Sequence, residues 1–140
     1  MGRWLAIDYG KVRCGVAVTD PLRIIANGLT TVPTGELTKF LQQYLAKEPV
    51  ERIIIGLPTQ TNGAPSENLP RVQKFVKTLS RLYPQLPVVY FDERFTSVLA
   101  HRAMIDGGLS KGQRRNKALV DELSATILLQ SYMESRVGQE

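Results

Sequence analysis

The segment Arg52-Ile53-Ile54-Ile55-Gly56-Leu57-Pro58 has no polar residue between its charged start and its proline. A strand with one face in water alternates apolar and polar residues, so an unbroken run predicts a strand covered on both faces, as in a sheet sandwiched by helices. Pro87-Val88-Val89-Tyr90-Phe91 reads as a second buried strand of the same kind. Between them, Leu69, Val72, Val76, Leu79 and Tyr83 keep helical spacing until Pro84 and Pro87 stop it. Earlier, Leu37, Phe40, Leu41, Tyr44 and Leu45 do the same up to Pro49. The right-handed crossover rule then sets the strands beginning at Arg52 and Pro87 parallel to the first strand.

That first strand belongs to a meander. Residues 4–9 and 13–19 read as strands joined through Gly10 and Lys11, and a third is predicted over Leu29–Val32. Thr96 or Ser97 can cap a helix running through Met104 to Gly107-Gly108. Asn116 can cap a last helix carrying Leu119, Val120, Leu123, Ile127, Leu128 and Tyr132. The predicted class is α/β: a mixed five-stranded sheet, with three antiparallel N-terminal strands, two parallel ones and helices on both faces. The 140 residues suffice for one domain, 1–140, and not for two of ordinary size.

Apolar runs of four or five residues span no membrane, and no apolar h-region follows Met1, so no secretory leader is expected. The single Cys14 forms no internal disulfide and reads as core packing in a reducing compartment, which makes the expected location cytoplasmic. Eighteen Lys and Arg against 13 Asp and Glu give a net charge of +5 and favour an anionic partner. Lys111, Arg114, Arg115 and Lys117 crowd one glycine-containing segment. Arg71, Lys74, Lys77 and Arg81 recur along one helical face, where a solvated surface would look the same.

Three acids interrupt these buried-looking elements. Asp8 ends the run Trp4-Leu5-Ala6-Ile7, Glu93 follows Val88-Val89-Tyr90-Phe91, and Asp121 opens the apolar face continued by Ala125, Leu128 and Tyr132. Acids at such positions are costly unless positive charge meets them, and the ends of the parallel strands are where ligands bind in open α/β sheets. In Asp8-Tyr9-Gly10-Lys11-Val12-Arg13-Cys14-Gly15 an acid, a turn glycine and a base from the next strand could together address a phosphate, although a plain hairpin would also fit. Gly15 inside a strand predicts a close backbone approach. Asp92-Glu93-Arg94 could serve as a helix-dipole partner and a surface ion pair instead. Lys117 is spaced one turn from Asp121. The loop Gly56-Leu57-Pro58-Thr59-Gln60-Thr61-Asn62-Gly63 suits a turn as well as a substrate contact, and His101 reads as solvated.

The segments Asp8-x-Gly10-x-x-Arg13-x-Gly15-x-Ala17, Gly56-Leu57-Pro58 with Gly63, Asp92-Glu93-Arg94-Phe95-Thr96-Ser97, and Lys117-x-x-x-Asp121-x-x-x-Ala125 occur in this order over nearly the whole chain. Together they resemble the YqgF family, also called RuvX: Holliday-junction-resolvase-like, pre-16S rRNA nucleases of bacteria with a ribonuclease-H-like fold. The resemblance implies an acidic catalytic and metal-binding site of Asp8, Glu93 and Asp121, with Arg13, Arg94 and Lys117 as substrate contacts. Gln60-Thr61-Asn62 replaces a loop that carries an acid in many relatives, and Leu99 stands where a Glu is frequent.

Clustered carboxylates repel one another unless a hard cation such as Mg²⁺ or Mn²⁺ neutralises them, and two such ions with substrate bound would serve phosphodiester hydrolysis. Lys111, Arg114 and Arg115 would hold the flanking sugar-phosphate chain. The expected function is nuclease processing of the 5′ end of pre-16S rRNA. The alternatives are Holliday junction cleavage in branched DNA and a non-catalytic nucleic-acid or ribosome-assembly factor. Phosphotransfer in the sugar-kinase manner would need two such domains. Nucleic acid is the expected partner, with a monomer or weak homodimer as the expected state.

Overall fold

The computed structural model describes residues 2–57, 68–92 and 117–136, the side chains of 117–120 excepted. Strands β1 (Arg3–Tyr9), β2 (Arg13–Thr19) and β3 (Ala26–Pro33) are followed by helix α1 (Leu37–Lys47), strand β4 (Val50–Leu57), helix α2 (Leu69–Leu82), strand β5 (Val88–Asp92) and helix α3 (Lys117–Ser135). The strands form one sheet in the order β3-β2-β1-β4-β5. β1–β2 and β2–β3 pair antiparallel, whereas β1–β4 and β4–β5 pair parallel, as the sequence predicts. The helix expected over 96–104 lies outside the described residues.

The alternation of side chains sorts two cores. Leu5, Ile7, Cys14, Val16, Val18, Ile53 and Ile55 meet Leu37 and Leu41 of α1 and Val72, Phe75 and Leu79 of α2. On the other face Trp4, Ala6, Ala17 and Ile54 meet Ala125, Leu128, Leu129 and Tyr132 of α3. Ile53, Ile54 and Ile55 are all fully buried, so β4 needs an apolar residue at consecutive positions, each contributing about 1.5–3 kcal/mol. β5 is a correction: expected to be buried, it is half-buried and leaves Tyr90 exposed. It is the outermost described strand on its side, with a neighbour only at β4.

The second face positions the acids. α3 packs across β2, β3 and β1, where Ala6, Gly15 and Ala17 offer little bulk. Its C-terminal half is held at the start of β1: Tyr132 lies edge-on to Trp4 at 5.3 Å between centroids, and its hydroxyl accepts a 2.7 Å hydrogen bond from Arg52 Nη1. Counting back from Tyr132 to Asp121 covers about 16 Å of helix, close to the roughly 13 Å of strand from Trp4 to Asp8. Anchoring one end of α3 thus delivers Asp121 to the other end of β1.

Candidate active site

Asp8 stands directly across the β1–β2 ladder from Gly15. Cross-strand partners project to the same face, so the Asp8 side chain leaves the sheet on the side where a side chain at Gly15 would stand. That space is taken by α3: a Cβ at Gly15 would lie 1.9 Å from the Asp121 carbonyl oxygen. Glycine is therefore required here because another backbone occupies the room, as its place inside a strand suggests. The contact brings Asp121 beside Asp8 although the two lie near opposite ends of the sequence.

Arg13, two residues before Gly15 and on the same face, donates from Nε to Asp121 Oδ2 at 2.8 Å. Both side chains are about one-third exposed, so the pair meets water and its stabilisation is about 1 kcal/mol at most. Sequence spacing offers Lys117 as the partner of Asp121, whereas the described partner is Arg13; nothing within the helix could have signalled a bond across 108 residues.

The other face of the same edge is braced. Thr34 donates its hydroxyl to the Gly10 carbonyl at 2.7 Å and lies 3.4 Å from Cys14 Sγ. Gly10 is itself closely packed, a Cβ there falling 2.2 Å from the Arg13 carbonyl oxygen. Asn68 Nδ2 donates to the Tyr9 carbonyl at 2.8 Å and ties the start of α2 to the end of β1. Tyr9 also packs on Phe75, ring centroids 5.2 Å apart. No local sequence signal marks Thr34 or Asn68, because their role arises from distant carbonyls.

Cys14 is fully buried, as its core reading requires. Burial pushes its thiol pKa up, and the Asp8 and Asp121 carboxylates push in the same direction, while hydrogen bonds with Thr34 and Gly10 oppose them. The thiol therefore senses both acids at once. Burial likewise raises the Tyr9 hydroxyl, with Cys14 adding to the effect and the Arg71 guanidinium counteracting it.

Glu93 follows Asp92, the last residue of β5, and lies outside the described residues, as do Arg94, Lys111, Arg114, Arg115, His101 and loop residues 58–63. Lys117 opens α3, and its side chain is among those not described. Among the described residues no three metal-ligating side chains gather. Asp8 and Asp121 supply hard oxygen donors, the chemistry that suits Mg²⁺ or Mn²⁺, and the soft Cys14 thiol is buried in the core on the other face of the sheet. A pair of acids facing a guanidinium can hold a hard cation and orient a phosphate.

A family model described as Holliday junction resolvase, RuvX, matches residues 2–135. A protein of Bacteroides thetaiotaomicron named "Putative pre-16S rRNA nuclease" is 62% identical over 136 residues, covering 97% of this chain and 99% of that protein. Its namesake from Phocaeicola vulgatus is 64% identical, covering 97% and 98%. Among solved structures, T. thermophilus RuvC in complex with a Holliday junction substrate superposes with a TM-score of 0.60 at 13% identity, covering 99% of this chain and 97% of that one. Fowlpox virus resolvase with its junction DNA gives 0.55, also at 13% identity, over 95% and 97%. The fold is the ribonuclease-H-like fold of the resolvases.

Proposed function

The chain belongs to the RuvX family, and on that footing we propose that it is a metal-dependent nuclease whose acidic sheet edge hydrolyses phosphodiester bonds, processing the 5′ end of pre-16S rRNA in the cytoplasm. Residues 1–140 act as a single nuclease domain, a monomer or weak homodimer. The observation that carries the reading is the seating of the Asp121 backbone on Gly15, opposite Asp8. A protein that only packed helix on sheet would place apolar side chains there, as it does at Ala17, Ile54 and Ala125.

Asp8, Glu93 and Asp121 are the residues assigned to hold the cations, which are Mg²⁺ or Mn²⁺ on the hardness of their donors. When bound, a pair of such ions supplies the positive charge that activates water and steadies the departing oxygen in phosphodiester hydrolysis. Arg13 holds the Asp121 carboxylate in place through its Nε, and its other guanidinium donors address a substrate phosphate. Arg94 and Lys117 act as further phosphate contacts. Lys111, Arg114 and Arg115 hold the flanking backbone without reading sequence. The braces from Thr34 and Asn68 keep the edge in one geometry before substrate arrives.

The test is incubation with labelled precursor rRNA and, separately, with branched DNA in Mn²⁺, comparing the parent with Asp8→Asn. The reading expects the parent alone to trim precursor rRNA. Cleavage confined to branched DNA would favour junction resolution, the second reading, which the family model's description supports. Binding by both proteins without cleavage by either would make the chain a non-catalytic assembly factor.

A further inference from the structure

Helix α2 carries Arg71, Lys74, Lys77 and Arg81 and no carboxylate. All four cations are exposed, while Val72, Phe75 and Leu79 turn inward to the core. Surface helices usually mix the two signs along their outer faces. Here successive cations stand three, three and four residues apart, the spacings at which like charges on a helix repel. Among the described residues the ion pairs belong to Arg3, Arg13 and Arg23, and none relieves this stripe. On the opposite face of the sheet α3 mixes the two signs, carrying Lys117 with Asp121, Glu122 and Glu134.

The stripe also begins at the active edge. Asn68, immediately before α2, is bonded to the Tyr9 carbonyl, and the Arg71 guanidinium acts on the Tyr9 hydroxyl. From Arg71 to Arg81 it runs about 15 Å away from that edge. A duplex presents one phosphate charge per roughly 1.7 Å of axis, so this length faces several phosphates at once. An anionic membrane is the poorer match, because the apolar face of α2 that would enter the headgroups is consumed by the core.

We infer that the outer face of α2 is a second nucleic-acid contact, a backbone track that carries the sugar-phosphate chain away from the acidic edge. It rests on the nuclease reading for its ligand, but its electrostatics can be tested without cleavage. The track holds phosphates by charge and reads no bases, so it extends the footprint of the protein without adding sequence preference. It would favour long substrates over short ones.

The experiment compares the parent with R71Q/K74Q/K77Q/R81Q, whose replaced side chains are all exposed, after a thermal melt has checked folding. Should the fourfold variant not fold, K74Q/K77Q takes its place with half the expected effect. Fluorescence anisotropy of a labelled 30-nucleotide RNA and of a duplex of the same length is followed from 50 to 300 mM salt. The slope of log affinity against log salt is expected to fall by about two to three in the fourfold variant, and affinity at low salt by about tenfold or more. Turnover of an oligonucleotide of about four residues is expected to stay at the parent's level, with the loss confined to long substrates and to KM. An unchanged salt slope would overturn the track, and so would tighter binding to phosphatidylserine vesicles than to either nucleic acid. If the parent cuts nothing yet the slope falls as expected, the nuclease reading fails and the track stands.

Discussion

At Gly15 a hydrogen in place of a methyl group decides whether α3 can seat its first turn over β2. Gly15→Ala puts a Cβ against the Asp121 carbonyl, so the helix must move. The expected destabilisation is about 1–3 kcal/mol in chemical denaturation, and activity should fall about a hundredfold or more because a displacement near 1 Å suffices for that. Arg13→Gln should behave differently. Its ion pair with Asp121 is partly exposed, so stability changes by about 1 kcal/mol or less, while cleavage of nucleic acid falls more steeply. A large stability loss with normal cleavage would show that the pair is merely structural. Asp20 offers a pH test away from the site: hydrogen bonds from the Ile25 and Ile24 amides lower its carboxyl pKa below the usual 3.8. A lowered folded pKa contributes stability that is present above the unfolded value and lost as pH falls through the folded one. The melting temperature should therefore drop more between pH 4 and pH 2 in the parent than in Asp20→Asn, and parallel curves would refute the assignment. The acids at 8 and 121 and the glycine between them were legible because each breaks an apolar pattern. Thr34 and the Arg13 to Asp121 bond were not, since their partners are set by the fold and not by local spacing.

At the scale of elements, periodicity carried most of the architecture. The unbroken apolar run in β4 called for cover on both faces, and α1 with α2 on one side and α3 on the other supply it. β3 starts earlier than its apolar content suggests, at Ala26, because pairing of Ala26 and Asn27 with Thr19 and Val18 draws poor strand formers into the sheet. The half-exposure of β5 was equally hidden, since a run of apolar residues looks the same at a sheet margin as at its centre. Leu128 links α3 to the sheet near Ile54. Leu128→Ala should cost about 2–5 kcal/mol by denaturant unfolding. Because α3 also carries Asp121, cleavage should weaken with it at temperatures where the variant is still folded. Full activity there would mean that Asp121 is held by its first turn alone.

Over the whole molecule, charge and chemistry are divided. Asp8 and Asp121 meet at one edge, the cations of α2, which no ion pair among the described residues opposes, lead away from it, and the N-terminal ends of β1 and β4 are sealed by Trp4, Arg52 and Tyr132. That division follows from topology: parallel strands put their C-terminal ends together, and α3, anchored at the far end, returns its first turn to the same place. The most direct test of the convergence replaces Mg²⁺ with Fe²⁺ and adds ascorbate and peroxide, so that a bound iron cuts the polypeptide around it, with fragments read by mass spectrometry. Cuts clustered near Asp8, Glu93 and Asp121, suppressed by excess Mg²⁺ and absent in Asp8→Asn, are the expected result. Cuts that leave out any one of the three segments, or that excess Mg²⁺ does not suppress, would contradict a shared cation site.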